Sequence, residues 1–136
     1  MAKAIGIDYG EKRVGIAITD SLQMIASALT TIDTPNIFTF LKDLIEKEEI
    51  DCFVVGEPKN LDGSSTDSTE MTEKFVEKLS NKHPQIPIER IDERFTSKIA
   101  KQSILDAGIK KMKRRDKSLI DKVSAAIILQ SYLDAR

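Results

Sequence analysis

Two short apolar runs open the chain on either side of a polar turn. Ala4 to Asp8 and Arg13 to Thr19 read as strands joined by Tyr9-Gly10-Glu11-Lys12, with Gly10 offering the positive φ of a tight turn, so an antiparallel hairpin is expected. Ser27 to Ile32 is a weaker third strand. Thr34-Pro35 then signals a helix start, Thr34 as the cap and Pro35 at the first helical position, where a missing N–H costs nothing. Ile37, Phe38, Leu41, Leu44 and Ile45 recur at the spacing of one helix face. Cys52-Phe53-Val54-Val55 shows no polar alternation, the pattern of a central strand covered on both sides. After a turn-rich stretch from Glu57 to Thr69, Asp67 with Glu70 resembles a capping box, and Met71, Phe75 and Leu79 mark a second helix. Ile86 to Ile91 is a further strand. A helix from Ser97 to Ala107, closed by Gly108, leads through the basic run KKMKRRDK to a last helix over Ser118 to Tyr132.

Three strands in a meander, followed by βα crossovers, predict an α/β protein with one five-stranded mixed sheet flanked by helices. This is the element order of the ribonuclease H-like fold. With 136 residues, a single domain spanning 1–136 is expected, with room for one core and not for two lobes around a cleft. Lys plus Arg number 21 and Asp plus Glu 22, a net charge of -1, so a preference for a charged partner has to come from local clustering. The lone Cys52 excludes an internal disulfide and a cysteine-based zinc site, and suits a reducing, cytoplasmic compartment. No segment reaches the about 18 apolar residues of a membrane span, and the N-terminus has no signal-peptide pattern. A soluble protein that does not enter membranes is expected.

Three acidic positions fall where a neutral residue would be cheaper: Asp8 within the first strand, Asp92-Glu93 after the fifth, and Asp121 in the last helix. A buried isolated carboxylate is costly unless it is paired, hydrogen-bonded or metal-bound. Three converging carboxylates suit a hard divalent cation, Mg²⁺ or Mn²⁺, and two such ions support phosphodiester hydrolysis. Each acid also has a plainer role. Asp8 can bond turn N–H groups, Asp92 and Glu93 can be a solvated strand end, and Asp121 can cap a helix with Ser118 three residues before it. His83, at a helix exit, reads as structural. The run containing Lys113, Arg114 and Arg115 is either a solvated loop or a grip on phosphates.

Four segments in order, GIDYGEKRVGIAITD, VVGEPKNLDGS, DERFTS and IDKVSAAIILQSYL, resemble the YqgF/RuvX family. These are ribonuclease H-like proteins described as Holliday junction resolvases and pre-16S ribosomal RNA nucleases. The resemblance implies a metal-dependent nuclease of structured nucleic acid, either processing the 5′ end of pre-16S rRNA or resolving DNA junctions, with one or two Mg²⁺ or Mn²⁺ ions. It implies Asp8, Glu93 and Asp121 as catalytic and metal-binding residues. Lys59, Arg94, Lys113, Arg114 and Arg115 are candidates for binding the nucleic acid. Glu57 departs from the apolar residue common in the family after VVG, and stands as a fourth ligand or a loop acid. A monomer and a homodimer are both compatible with the pattern.

Two other readings are carried. The opening hairpin also resembles the phosphate-binding hairpin of actin- and hexokinase-like phosphotransferases, although those enzymes close two such lobes. The other alternative is a non-catalytic nucleic-acid or ribosome-assembly binding module on the same fold.

Overall fold

The computed structural model describes residues 2–58, 67–92 and 117–135. Its elements are β1 (Lys3–Tyr9), β2 (Arg13–Thr19), β3 (Ala26–Asp33), a 3₁₀ turn (Thr34–Asn36), α1 (Ile37–Lys47), β4 (Ile50–Glu57), α2 (Asp67–Lys82), β5 (Ile88–Asp92) and α3 (Lys117–Ala135). The five strands form one sheet in the order β3-β2-β1-β4-β5. β3, β2 and β1 pair antiparallel, whereas β1, β4 and β5 run parallel. The five-stranded mixed sheet expected from the sequence is therefore present. The helix expected over 97–107 lies outside the described residues.

The sheet is covered on both faces, which explains the missing alternation in β1 and β4. On one face Ile5, Ile7, Val14, Ile16, Phe53 and Val55 pack with Ile37 and Leu41 of α1 and with Phe75 and Leu79 of α2. On the other, Ala4, Ala17, Cys52 and Val54 meet Ala125, Ile128 and Leu129 of α3. Each fully buried large side chain contributes roughly 1.5–3 kcal/mol. The first face therefore carries most of the hydrophobic stabilisation.

The second face is built from small residues, and they let α3 come close. A Cβ on Gly6 would stand 2.7 Å from Leu129 Cβ and 2.8 Å from the Ala125 carbonyl oxygen. A Cβ on Gly15 would overlap the backbone carbonyl of Asp121 outright. Further along the helix, Gln130 Oε1 accepts the Ala26 N–H of β3 at 2.9 Å, fixing where α3 sits along the sheet.

Two local expectations change. Thr34 does not cap α1: its hydroxyl donates to the Gly10 carbonyl at 2.8 Å, the 3₁₀ turn intervenes, and the helix starts at Ile37 without a side-chain cap. The competing acceptor in the β1–β2 turn wins because the hairpin end packs beside it. Gly10, in turn, does not adopt a positive φ. Its missing side chain makes room for the Arg13 carbonyl oxygen, which a Cβ would approach to 2.6 Å. The non-glycine positive φ among the described residues is Gln23 (φ 53°), held by bonds from its amide to the Ala2 carbonyl at 2.9 Å and to Asp51 Oδ2 at 2.6 Å.

Gly15→Ala is expected to lower unfolding stability by about 3 kcal/mol, the upper range for overpacking, because the obstructing atom is backbone. A urea midpoint within error of wild type would contradict the packing. Burial and the negative charge of Asp51 push the Cys52 thiol up to about 11. In the native protein Cys52 is therefore expected to resist a thiolate-directed disulfide reagent at pH 8 and to react promptly once urea unfolds the chain. The same shift makes stability fall as pH rises from the ordinary thiol range towards 11, because the unfolded chain ionises first.

Candidate active site

Strand register decides which side chains meet. Asp8 of β1 is directly opposite Gly15 of β2, and residues directly opposite in an antiparallel pair share a face. Gly15 is the residue on which the Asp121 backbone rests. Asp8 and the first half of α3 are thus brought to the same corner of the sheet, at the C-terminal end of β1. Arg13, two residues before Gly15, lies on that face by strand alternation. Its Nε donates to Asp121 Oδ2 at 3.1 Å, with the two side chains 33% and 27% exposed.

This contact bears on the capping alternative for Asp121. α3 is described over Lys117–Ala135, and Ser118 is itself helical rather than the residue that precedes the helix. Asp121 instead reaches across to the β2 strand. Its partner Arg13 was not singled out from the sequence, although the alternation Arg13, Gly15, Ala17 is a legible signal for one face of a strand.

The described acids at the other strand ends, Asp92 and Glu57, fall on the α2 side of the sheet. Ile91 packs against the α3-side core, whereas Arg90 faces α2, with NH1 at 2.8 Å from Glu73 and Nε donating to the Val55 carbonyl at 3.3 Å. Alternation therefore gives the position of Asp92 to the α2 side. Glu57, opposite Asp92 and two residues beyond the α2-side Val55, falls on that side too. Neither position shares the face of Asp8. Glu93, Lys59, Arg94, Lys113, Arg114 and Arg115 lie outside the described residues. His83 donates its backbone N–H to Leu79 at 3.0 Å, and burial, then the charge of Lys82, lowers its pKa.

Asp8 and Asp121 offer oxygen donors alone, the set that suits a hard cation such as Mg²⁺ or Mn²⁺. Among the described residues no group of three or more potential ligands assembles.

Comparison with known proteins decides the family. The family model described as "RuvX: Holliday junction resolvase" matches residues 2–135. The chain belongs to the RuvX family. A Christiangramia forsetii protein named "Putative pre-16S rRNA nuclease" is 50% identical over 133 residues, covering 98% of each chain. A Porphyromonas gingivalis relative of the same name is 48% identical, covering 98% of this chain and 97% of its own. Among solved structures, Thermus thermophilus RuvC in complex with a Holliday junction substrate superposes with a TM-score of 0.60 at 16% identity, covering 100% of this chain and 96% of that one. Fowlpox virus resolvase bound to Holliday junction DNA gives 0.57 at 11% identity, covering 98% and 97%. At such identities the likeness to these two resolvases establishes the fold, ribonuclease H-like as the element order predicts. RuvX membership over nearly the whole chain also decides against the phosphotransferase reading of the opening hairpin.

Arg13→Ala is expected to cost no more than about 1 kcal/mol of stability, since both partners of the pair are partly solvated. Equilibrium denaturation checks this. A loss well above about 2 kcal/mol would mean that the pair supports the fold rather than the site.

Proposed function

We propose that this RuvX protein is a divalent-metal-dependent nuclease that hydrolyses phosphodiester bonds of structured nucleic acid, with the whole chain, 1–136, forming one nuclease domain. The observation that carries the reading is the Asp8–Gly15–Asp121 corner. Asp8 pairs with Gly15 and the Asp121 backbone rests on that same glycine, which supports the two acids as ligands of one site. The relatives' names favour pre-16S rRNA as substrate, and the family description favours a Holliday junction. A cytoplasmic location suits either. In support, no helix among the described residues is long and apolar enough to cross a membrane.

Asp8 and Asp121 would hold one or two Mg²⁺ or Mn²⁺ ions, with Glu93 as the third carboxylate. Glu93 is preferred to Asp92 because alternation gives Asp92 to the α2 side of the sheet. When bound, such ions polarise the phosphate and make water a competent nucleophile at neutral pH. The protein's own residues supply the positioning. The paired strands hold Asp8 rigidly, and the Arg13 guanidinium keeps the Asp121 carboxylate turned towards β2. Lys59, Arg94, Lys113, Arg114 and Arg115 would bind phosphates without reading base sequence.

Asp8→Asn is expected to reduce cleavage by about 100-fold or more, beyond the 10–100-fold typical of residues that only support metal ligands. The measurement is single-turnover cleavage of a precursor 16S rRNA fragment and of a four-way DNA junction in Mn²⁺, with denaturation showing an unchanged fold. Wild-type protein that binds both substrates and cuts neither would leave the binding-module reading in its place. Asp121→Asn should match Asp8→Asn in activity.

A further inference from the structure

Helices α1 and α2 cover the face of the sheet opposite the Asp8–Asp121 corner, and between them runs an open groove with an aromatic floor. Tyr9 stacks on Phe75, ring centroids 4.3 Å apart and planes 16° from parallel, and Phe38 of α1 tilts against Phe75 at 5.5 Å. Along the α2 rim, Lys74, Lys78 and Lys82 recur every four residues, so they form one stripe on the helix. Lys82 Nζ lies 5.2 Å from the centre of the Phe38 ring. A pocket of about 360 Å³ between the rings and the first two lysines adjoins a second of about 370 Å³ around Phe38 and Lys82, where Lys42 of α1 adds another cation.

Among the described residues the lining of this groove is net positive. Glu70 is the acid that lines it among the described residues, in an exposed pair with Lys74 at 3.3 Å, a geometry that contributes little. Glu73 is turned away to Arg90 at 2.8 Å.

The geometry points to a binding groove for single-stranded nucleic acid, with phosphates along the lysine stripe and bases against the Tyr9 and Phe38 rings. A basic rim beside aromatic faces is the arrangement by which proteins hold single strands without sequence preference. An acidic protein segment would satisfy the lysines but would leave the rings without a stacking partner. The groove also connects to the cleavage corner. Tyr9 follows Asp8 directly in β1, and alternation sends their side chains to opposite faces at the same strand end. A strand leaving the corner over the C-terminal rim of the sheet enters the groove at Tyr9. The inference rests on the nuclease reading and deepens it: the favoured substrate is a duplex or junction that carries a single-stranded extension.

The test is fluorescence anisotropy in EDTA, comparing a blunt RNA hairpin with the same hairpin carrying an extension of about ten nucleotides, within the usual range for single-strand sites. Wild-type protein is expected to bind the extended form about tenfold more tightly. The exposed triple variant Lys74→Gln, Lys78→Gln, Lys82→Gln should lose that gain. It should keep the blunt affinity and reduce the salt slope on the extended form by about 2, the single-strand value for three phosphate contacts. Phe38→Leu, which retains bulk but not the ring, should lose part of the gain with the salt slope unchanged. Equal gains in wild type and triple variant overturn the groove and leave the nuclease reading standing. A wild type that binds neither hairpin overturns both. A polyglutamate peptide displacing the extension as well as an oligonucleotide of equal charge overturns the assignment to nucleic acid, since only charge would then be read.

Discussion

The close contact between the α3 backbone and the two glycines of the hairpin is the constraint on which the rest of the molecule depends. Helices normally rest on a sheet through a layer of side chains, and here that layer is missing at Gly6 and Gly15. Only alanines and Cys52 fill the neighbouring β1, β2 and β4 positions apart from Val54, so the α3 face is thin. The thinness has a structural consequence. The Asp121 backbone descends to Gly15, the strand partner of Asp8, and its carboxylate accepts from Arg13 of β2 at 3.1 Å. A larger residue at position 15 would lift the first half of α3 and break that geometry before it affected the rest of the core.

The two faces of the sheet consequently do different work. Large apolar side chains under α1 and α2 supply most of the stability, leaving the α3 face free to bring charge together. On that face Arg13 pairs with Asp121 at 3.1 Å. The face that stabilises also carries the aromatic and lysine-lined groove, joined to the corner through the consecutive residues Asp8 and Tyr9. The proposed chemistry and the proposed grip would thus meet at one strand end.

Much of this is legible in the sequence, and what is not has identifiable causes. Apolar runs and their lack of alternation locate β1, β2 and β4, because burial on both faces leaves a strong local signature. Asp8 is conspicuous for the same reason. Pairing partners are less visible: nothing local says that Asp8 stands opposite Gly15, or that Arg13 reaches Asp121 across 108 positions of chain. Thr34 misleads because its hydroxyl has a second acceptor, the Gly10 carbonyl, which only tertiary structure brings near. Gly10 misleads similarly, since a glycine required for space and one required for a positive φ look identical in one dimension. Asp92 and Glu57 are separated from Asp8 only by strand parity, which needs the exact register of β4 and β5.

The most direct test of the central claim, that the glycine contact delivers Asp121 to Asp8 as one cation site, is anomalous diffraction from a crystal soaked in Mn²⁺. The account predicts an anomalous peak at the C-terminal end of β1 with carboxylate oxygens of both Asp8 and Asp121 at about 2.1 Å. A fully soaked crystal in which Mn²⁺ binds elsewhere, or touches Asp8 while Asp121 stays on Arg13, would contradict it.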